Sequence, residues 1–215
     1  METDDFWKNV EWVFSADPVK RLDGSEFSKS DVDLVTQVAR FFESIGGKVE
    51  REGLGEVELT RRGVKDSISH GIGRAKASAF MAVPDVIIHG KVIDRQTNWK
   101  GRGYDTYVID APILIGKTEY IIEVIVEQSL QGKNKYYLHE VEIKEKAQGV
   151  FKTATERGTP RAPKLIITKK IEAALAETGA HAHDTAAENP PNNPTSIINI
   201  LKKHLKINSA AKNIS

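Results

Sequence analysis

The chain has 215 residues, 28% charged and 40% hydrophobic, an ordinary soluble composition long enough for one or two domains with a real core. It has no cysteine, which removes disulfides, thiolate nucleophiles and cysteine zinc ligation together, and no apolar run approaches the roughly 20 residues that span a bilayer. Its net charge of +1 conceals an acidic front: residues 1–60 carry 14 acids against 7 bases, residues 61–146 carry 11 against 14, and residues 147–215 carry 5 against 10, so the later part suits a polyanion or the chain's own N-terminal segment.

In chain order, the N-terminus METDDFWKNVEWVF is acidic where a signal peptide would be basic. Residues 5–14 read as a short helix with Phe6, Val10, Trp12 and Val13 as apolar members. Residues 15–27 read as a loop by their Pro, Gly, Ser and Asp content. Ser28 or Ser30 is placed to cap a helix whose stripe is Leu34, Val35, Val38, Phe41, Phe42 and Ile45, with Gly46 and Gly47 as its stop. KVERE (48–52) and GEVELT (55–60) alternate around a glycine turn and predict a hairpin.

The stretch from Lys65 to Gly90 predicts one amphipathic helix. Val64, Ile68, Ile72, Ala75, Ala79 and Val83 recur at three- and four-residue spacing, and Pro84 ends the pattern. Opposite that stripe fall His70, Arg74 and Met81. Lys91–Arg95 predicts a short strand, 96–103 a loop, and 104–115, 119–128 and 135–143 three strands joined by short glycine-bearing turns, which force antiparallel neighbours. The centre therefore reads as α+β: a central helix followed by a four-stranded antiparallel meander, with an N-terminal helical and hairpin segment. The division is 1–54 for the acidic helical segment, 55–150 for the main domain and 151–215 for a basic tail. Within the tail, 165–177 and 196–207 predict short helices and 178–195 a disordered stretch, where His181 and His183 are too few to argue a metal site.

No Walker loop, dinucleotide fingerprint, HExxH or GxSxG occurs, and GIGRA (71–75) lies inside the helix pattern instead of after a strand. What remains is an acid–base set without metal or cofactor: His70, His139, Glu140, Lys65, Lys76, Arg74, Arg102, Tyr104, Tyr107, Tyr136 and Tyr137. Alternation puts Tyr137, His139 and Val141 on one strand face and Tyr136, Leu138 and Glu140 on the other, so His139 and Glu140 share a cleft only if the strand is bulged. Such a set suits RNA cleavage. A base takes the 2′-hydroxyl proton, an acid protonates the leaving 5′-oxygen, and cations hold the phosphate.

Three ordered blocks, GEVELTRRGVKDSISHGIGRAKASAFMAVPDVI, NWKGRGYDTYVIDAPI and KYYLHEVEIKEK, resemble the third large-polyvalent-protein-associated domain family of phage and mobile-element proteins, over about residues 55–150. That family is similar to the Barnase–EndoU–ColicinE5/D–RelE (BECR) group, whose members are a helix followed by a four-stranded meander and are largely metal-independent ribonucleases, many of them toxins that cut tRNA. The resemblance implies a toxin-like endoribonuclease working in the cytoplasm of a bacterial host. RNA is the implied partner, a cognate immunity protein or other phage proteins are further ones, and no membrane is involved. It highlights His70, Lys76, Tyr104, Tyr137, His139 and Glu140. The expectation is His70 and His139 as the acid–base pair, with Glu140 and Tyr104 at the reacting group. Arg74, Lys76, Lys65, Arg102 and Tyr137 would bind substrate. The competing expectation is a non-catalytic RNA- or protein-binding module of a phage polyvalent protein.

Overall fold

The computed structural model describes residues 3–27, 30–69, 74–98, 101–129 and 136–146, with positions 166, 167, 169, 170 and 173 beyond them. Among the described residues seven strands form one mixed sheet flanked by helices on both faces. Its longest members are β5 (Tyr104–Ile115) and β6 (Thr118–Ser129), which pair along their whole length. The two-residue turn between them needs a left-handed backbone, and Gly116 supplies it at φ 60°. β7 (Tyr136–Glu145) runs antiparallel to β6, and β4 (Lys91–Gln96) antiparallel to β5, so β4 to β7 are consecutive antiparallel neighbours.

The sheet extends beyond those four strands in both directions. β1 (Lys20–Leu22) runs parallel to the far end of β5, Lys20 opposite Ile113, on the edge that β4 also uses. By composition this segment reads as loop. Three residues are too few to show alternation, and they are held by β5 itself, with the Val19 N–H donating to the Pro112 carbonyl at 2.9 Å. On the other side, β3 (Gly55–Glu58) runs parallel to β7, Val57 opposite Tyr136, and its hairpin partner β2 (Lys48–Arg51) forms the outer edge.

α1 (Thr3–Ser15) forms where a short helix was expected. α2 (Leu34–Ser44) is capped by Asp33, whose carboxylate accepts from the Thr36 N–H at 2.9 Å. The cap is therefore Asp33 and not Ser30, because Asp33 stands immediately before the first helical residue. Gly46 and Gly47, at φ 92° and 71°, stop this helix, and the Gly47 N–H donates to the Phe42 carbonyl. Ile45, counted in the apolar stripe, lies past the helix end and is 41% exposed.

The stretch from Lys65 to Gly90, expected as one helix, is not one among the described residues. The chain forms α3 (Arg61–Ser69), a 3₁₀ segment (Arg74–Ala82) and α4 (Val83–His89). In the sequence Gly71 and Gly73 stand between α3 and the 3₁₀ segment, and glycine has low helix propensity. In the 3₁₀ segment residues three apart eclipse one another, which aligns Ala77, Phe80 and then Val83 on the core; all three are buried. Pro84 opens α4 instead of closing a helix. In a first turn its missing N–H has no partner to lose.

Two cores result. On one sheet face Ile109, Ala111, Ile113, Ile122, Val124 and Leu138 pack against α2, the 3₁₀ segment and α4. On the other, α1 lays Phe6, Trp7, Val10, Val13 and Phe14 against Ile93 and Ile121, together with Ile167. Strands covered on both sides read as near-continuous apolar runs, which explains YVIDAPILI and YIIEVIV. Tail residues 178–195 and 196–207 lie outside the described residues, as does Ser28.

Candidate functional site

The α1 face carries a polar cluster where β5 begins. Cross-strand register puts Tyr104 opposite Ser129 and Thr106 opposite Glu127. Tyr137 of β7 also stands opposite Glu127, so these side chains share one face. Between these pairs and the rest of β7 the register slips. Leu138 pairs with Val126 and Glu140 with Ile125, leaving His139 as the extra residue of a bulge. The strict alternation assumed for this strand therefore fails at one point. Ile125 belongs to the Glu127 face, so Glu140 does too. His139 points the same way, because its Nδ1 lies 3.5 Å from Glu127 Oε2. The bulge brings His139 and Glu140 to one side of the sheet, where a regular strand would separate them.

The imidazole is enclosed without being sealed. The side chains of His139 and Glu127 keep 14% and 20% of their exposure. The Tyr104 ring sits 6.3 Å from the His139 ring, tilted by 51°. The Glu127 carboxylate faces Nδ1 and favours one orientation of the ring. Sequence reasoning missed Glu127, which reads only as a strand residue. The available signal was the odd acid in VIVEQ, on the side of β6 that Tyr104 joins from β5.

The loop before Tyr104 is stapled in place. Asp105 accepts from the Asn98 N–H at 3.0 Å and from Arg95 Nη2 at 3.0 Å. Those two bonds, the backbone one foremost, hold the Asp105 carboxyl below its ordinary value. The Asn98 amide oxygen in turn accepts from the Gly103 N–H at 2.9 Å. Arg102 is exposed between Gly101 and Gly103, whose φ angles of 70° and 76° suit glycine. Tyr107 and Tyr136 do not join the cluster. Tyr107 pairs with Val126 and Tyr136 with Gln128 on the opposite face, where their rings meet edge to face at 5.8 Å.

α3 runs beside the outer edge of β7, past the end of β3. The Thr60 hydroxyl donates to the Leu138 carbonyl at 2.8 Å and accepts from the Gly63 N–H, and Ser67 Oγ accepts from the Val141 N–H at 2.8 Å. These side chains satisfy strand-edge groups that would otherwise lack a ladder partner. The start of α3 thus lies at the level of His139, and the helix leads away from it. Lys65 is exposed on this helix. His70 comes next after Ser69 and lies outside the described residues, as do the side chains of Arg74 and Lys76. Of the expected site residues, then, the structure gathers His139, Glu140, Tyr104 and Tyr137. It sets Lys65 on a separate element and Arg102 on the adjoining loop.

Among the described residues no group of three or more His, Asp or Glu side chains is arranged to hold a metal ion. No described helix is long and apolar enough to cross a membrane.

The chain was compared with known proteins. No curated protein and no solved structure matches it. A family model, large polyvalent protein-associated domain 3, matches residues 29–151. The match starts ahead of Gly55 and so takes in α2 and the β2–β3 hairpin along with the bulged strand. With more than half of its length matched, the chain belongs to the large polyvalent protein-associated domain 3 family.

Proposed function

We propose that this domain is a metal-independent endoribonuclease of phage or mobile-element origin that cleaves RNA through its own 2′-hydroxyl. The observation that carries the reading is the bulge at His139, which brings an imidazole to the same sheet face as Glu127, Glu140 and Tyr104. Imidazole and carboxylate are the two groups that general acid–base transesterification asks for near neutral pH. His139 Nε2 and Glu140 would exchange protons with the 2′-oxygen and the leaving 5′-oxygen. Tyr104 and Tyr137 offer rings to an unpaired base, and Arg102 stands on the adjoining loop as a phosphate ligand. The consecutive antiparallel run β4 to β7 supports kinship with the BECR nucleases as an analogy of topology. A toxin role, action on tRNA and a cognate immunity protein as partner rest on that analogy.

The test is incubation of the full chain with total tRNA in EDTA. Fragments ending in 2′,3′-cyclic phosphate are expected from the wild type, with a rate loss of about a hundredfold or more in His139→Ala. Intact RNA that nevertheless shifts on a gel would replace the enzyme with a binding module. His70→Ala decides a separate point. A loss of tenfold or more would make His70 the second proton carrier, and an unchanged rate would leave that task to Glu140.

A further inference from the structure

Three carboxylates lie in a row across the middle of the α1 face. Asp110 on β5 stands opposite Glu123 on β6, which stands opposite Glu142 on β7. Asp110 and Glu123 are 0% and 1% exposed. Neither carboxyl oxygen of Asp110 has a hydrogen-bond partner among the described residues. Burial without such a partner disfavours the ionised form of this group. Burial first, and the neighbouring acids second, push Asp110 well up and Glu123 up to about 8.

The row is roofed by a short stretch of distant sequence. The Ile166 N–H donates to Glu123 Oε2 at 2.7 Å, and Ile167 is fully buried with Phe6, Trp7 and Val10 of α1. Lys170 closes the outer side, 2.7 Å from Asp94 on β4 and over the Phe6 ring. On β7 the register sets Glu140 and Lys144 on the same face, either side of Glu142. The Ile166 and Ile167 N–H groups and then Lys169 favour the ionised form of Glu123, but burial and Glu142 outweigh them; the inward side of α1 is apolar and its Asp5 and Lys8 are exposed. On β4, Asp94 is paired with Lys170, and Lys91 lies over Trp12.

We propose that the Asp110–Glu123–Glu142 row is a proton-controlled latch for the segment that carries Ile166, Ile167, Lys169 and Lys170: the segment seals the row while its carboxyls carry protons, and their ionisation releases it and opens this face of the sheet. Two or three like charges cannot share so dry a space, whereas neutral carboxyls can remain beneath an apolar cover. Release would uncover the middle of the face that also carries His139 and Glu140. The inference stands apart from RNA cleavage and is read without substrate.

The measurement is amide hydrogen exchange at Ile166 and Ile167 in the full chain, corrected for intrinsic pH dependence, with Val124 as internal reference. Protection at Ile166 and Ile167 should fall at least tenfold relative to Val124 between pH 6 and pH 9. Glu123→Gln keeps shape and acceptor but cannot ionise, so it should flatten most of that fall. Should that variant lose Val124 protection, Asp110→Asn takes its place. Protection that ignores pH in the wild type, or falls equally in the folded variant, overturns the latch. Recovery of protection at pH 9 on adding manganese alone would also overturn it, by making the row a cation site.

Discussion

Leu138 shows how little room the bulged strand has. A Cβ added at Gly63 would lie 2.4 Å from the Leu138 carbonyl oxygen and 2.8 Å from its Cγ. No real contact is that short, so β7 would have to move just where His139 leaves the register. Gly63→Ala is expected to cost about 2 kcal/mol in urea unfolding and to reduce any His139-dependent activity more than its stability loss predicts. Glu127 acts at the same scale through another residue. In Glu127→Gln the imidazole loses its carboxylate, and kcat for the proposed RNA cleavage should fall about tenfold or more while KM holds. If KM rises instead and kcat does not, Glu127 belongs to substrate binding. Sequence showed His139, Tyr104 and Glu140 as candidates because of their chemistry. It could not show that they share a face, since a bulge on β7 is fixed by which residues of β6 it must meet. Asp110 and Glu123 were passed over because an acid within a strand reads as a solvated position. Their setting between Val, Ile and Ala on both sides was the signal that both faces are covered.

Elements with local stop signals were legible, and those defined by distant partners were not. α2 was fixed by its stripe and its two glycines, and β5 and β6 by their apolar runs and a two-residue turn. The α3–3₁₀–α4 passage was misread as one helix because three- and four-residue spacings of Val and Ala fit 3.0 and 3.6 residues per turn almost equally well over so short a span. α4 also depends on a contact that no local pattern announces. The half-buried Arg51 of β2 donates Nη2 to the Gly90 carbonyl at 3.0 Å and Nη1 to the Ile87 carbonyl. It thereby satisfies two carbonyls at the α4 C-terminus and ties the outer hairpin to the sheet's opposite side. Arg51→Ala should cost about 2 kcal/mol. Arg51→Lys should recover only part of it, because an ammonium cannot span both oxygens with a planar fork. Chemical denaturation of the three proteins side by side checks this.

For the molecule as a whole, the buried acids set the direction of the pH dependence. Glu123 titrates near 8 when folded and near 4.5 when unfolded, so its contribution is fully present below about pH 4.5 and is lost as pH rises towards 8. Asp110, raised as well, acts in the same sense. Asp105, held low, contributes above about pH 3.8 and is lost only below that. Stability should therefore peak near pH 4–5 and fall by a few kcal/mol by pH 8, at about 1.4 kcal/mol per unit from Glu123 in the window between. Thermal unfolding from pH 4 to pH 9 measures it, and a maximum near pH 8 would contradict it.

The parallel pairings carry a last consequence, one of timing. β1 needs β5, more than 90 residues later, and β3 needs β7, nearly 80 later. A ribosome therefore releases the N-terminal quarter long before its partners exist, and that quarter must wait, unfolded or chaperoned, until β7 emerges. Nascent chains arrested before Tyr136 should be digested by protease throughout, whereas chains arrested beyond the exit of Glu145 should resist as one body.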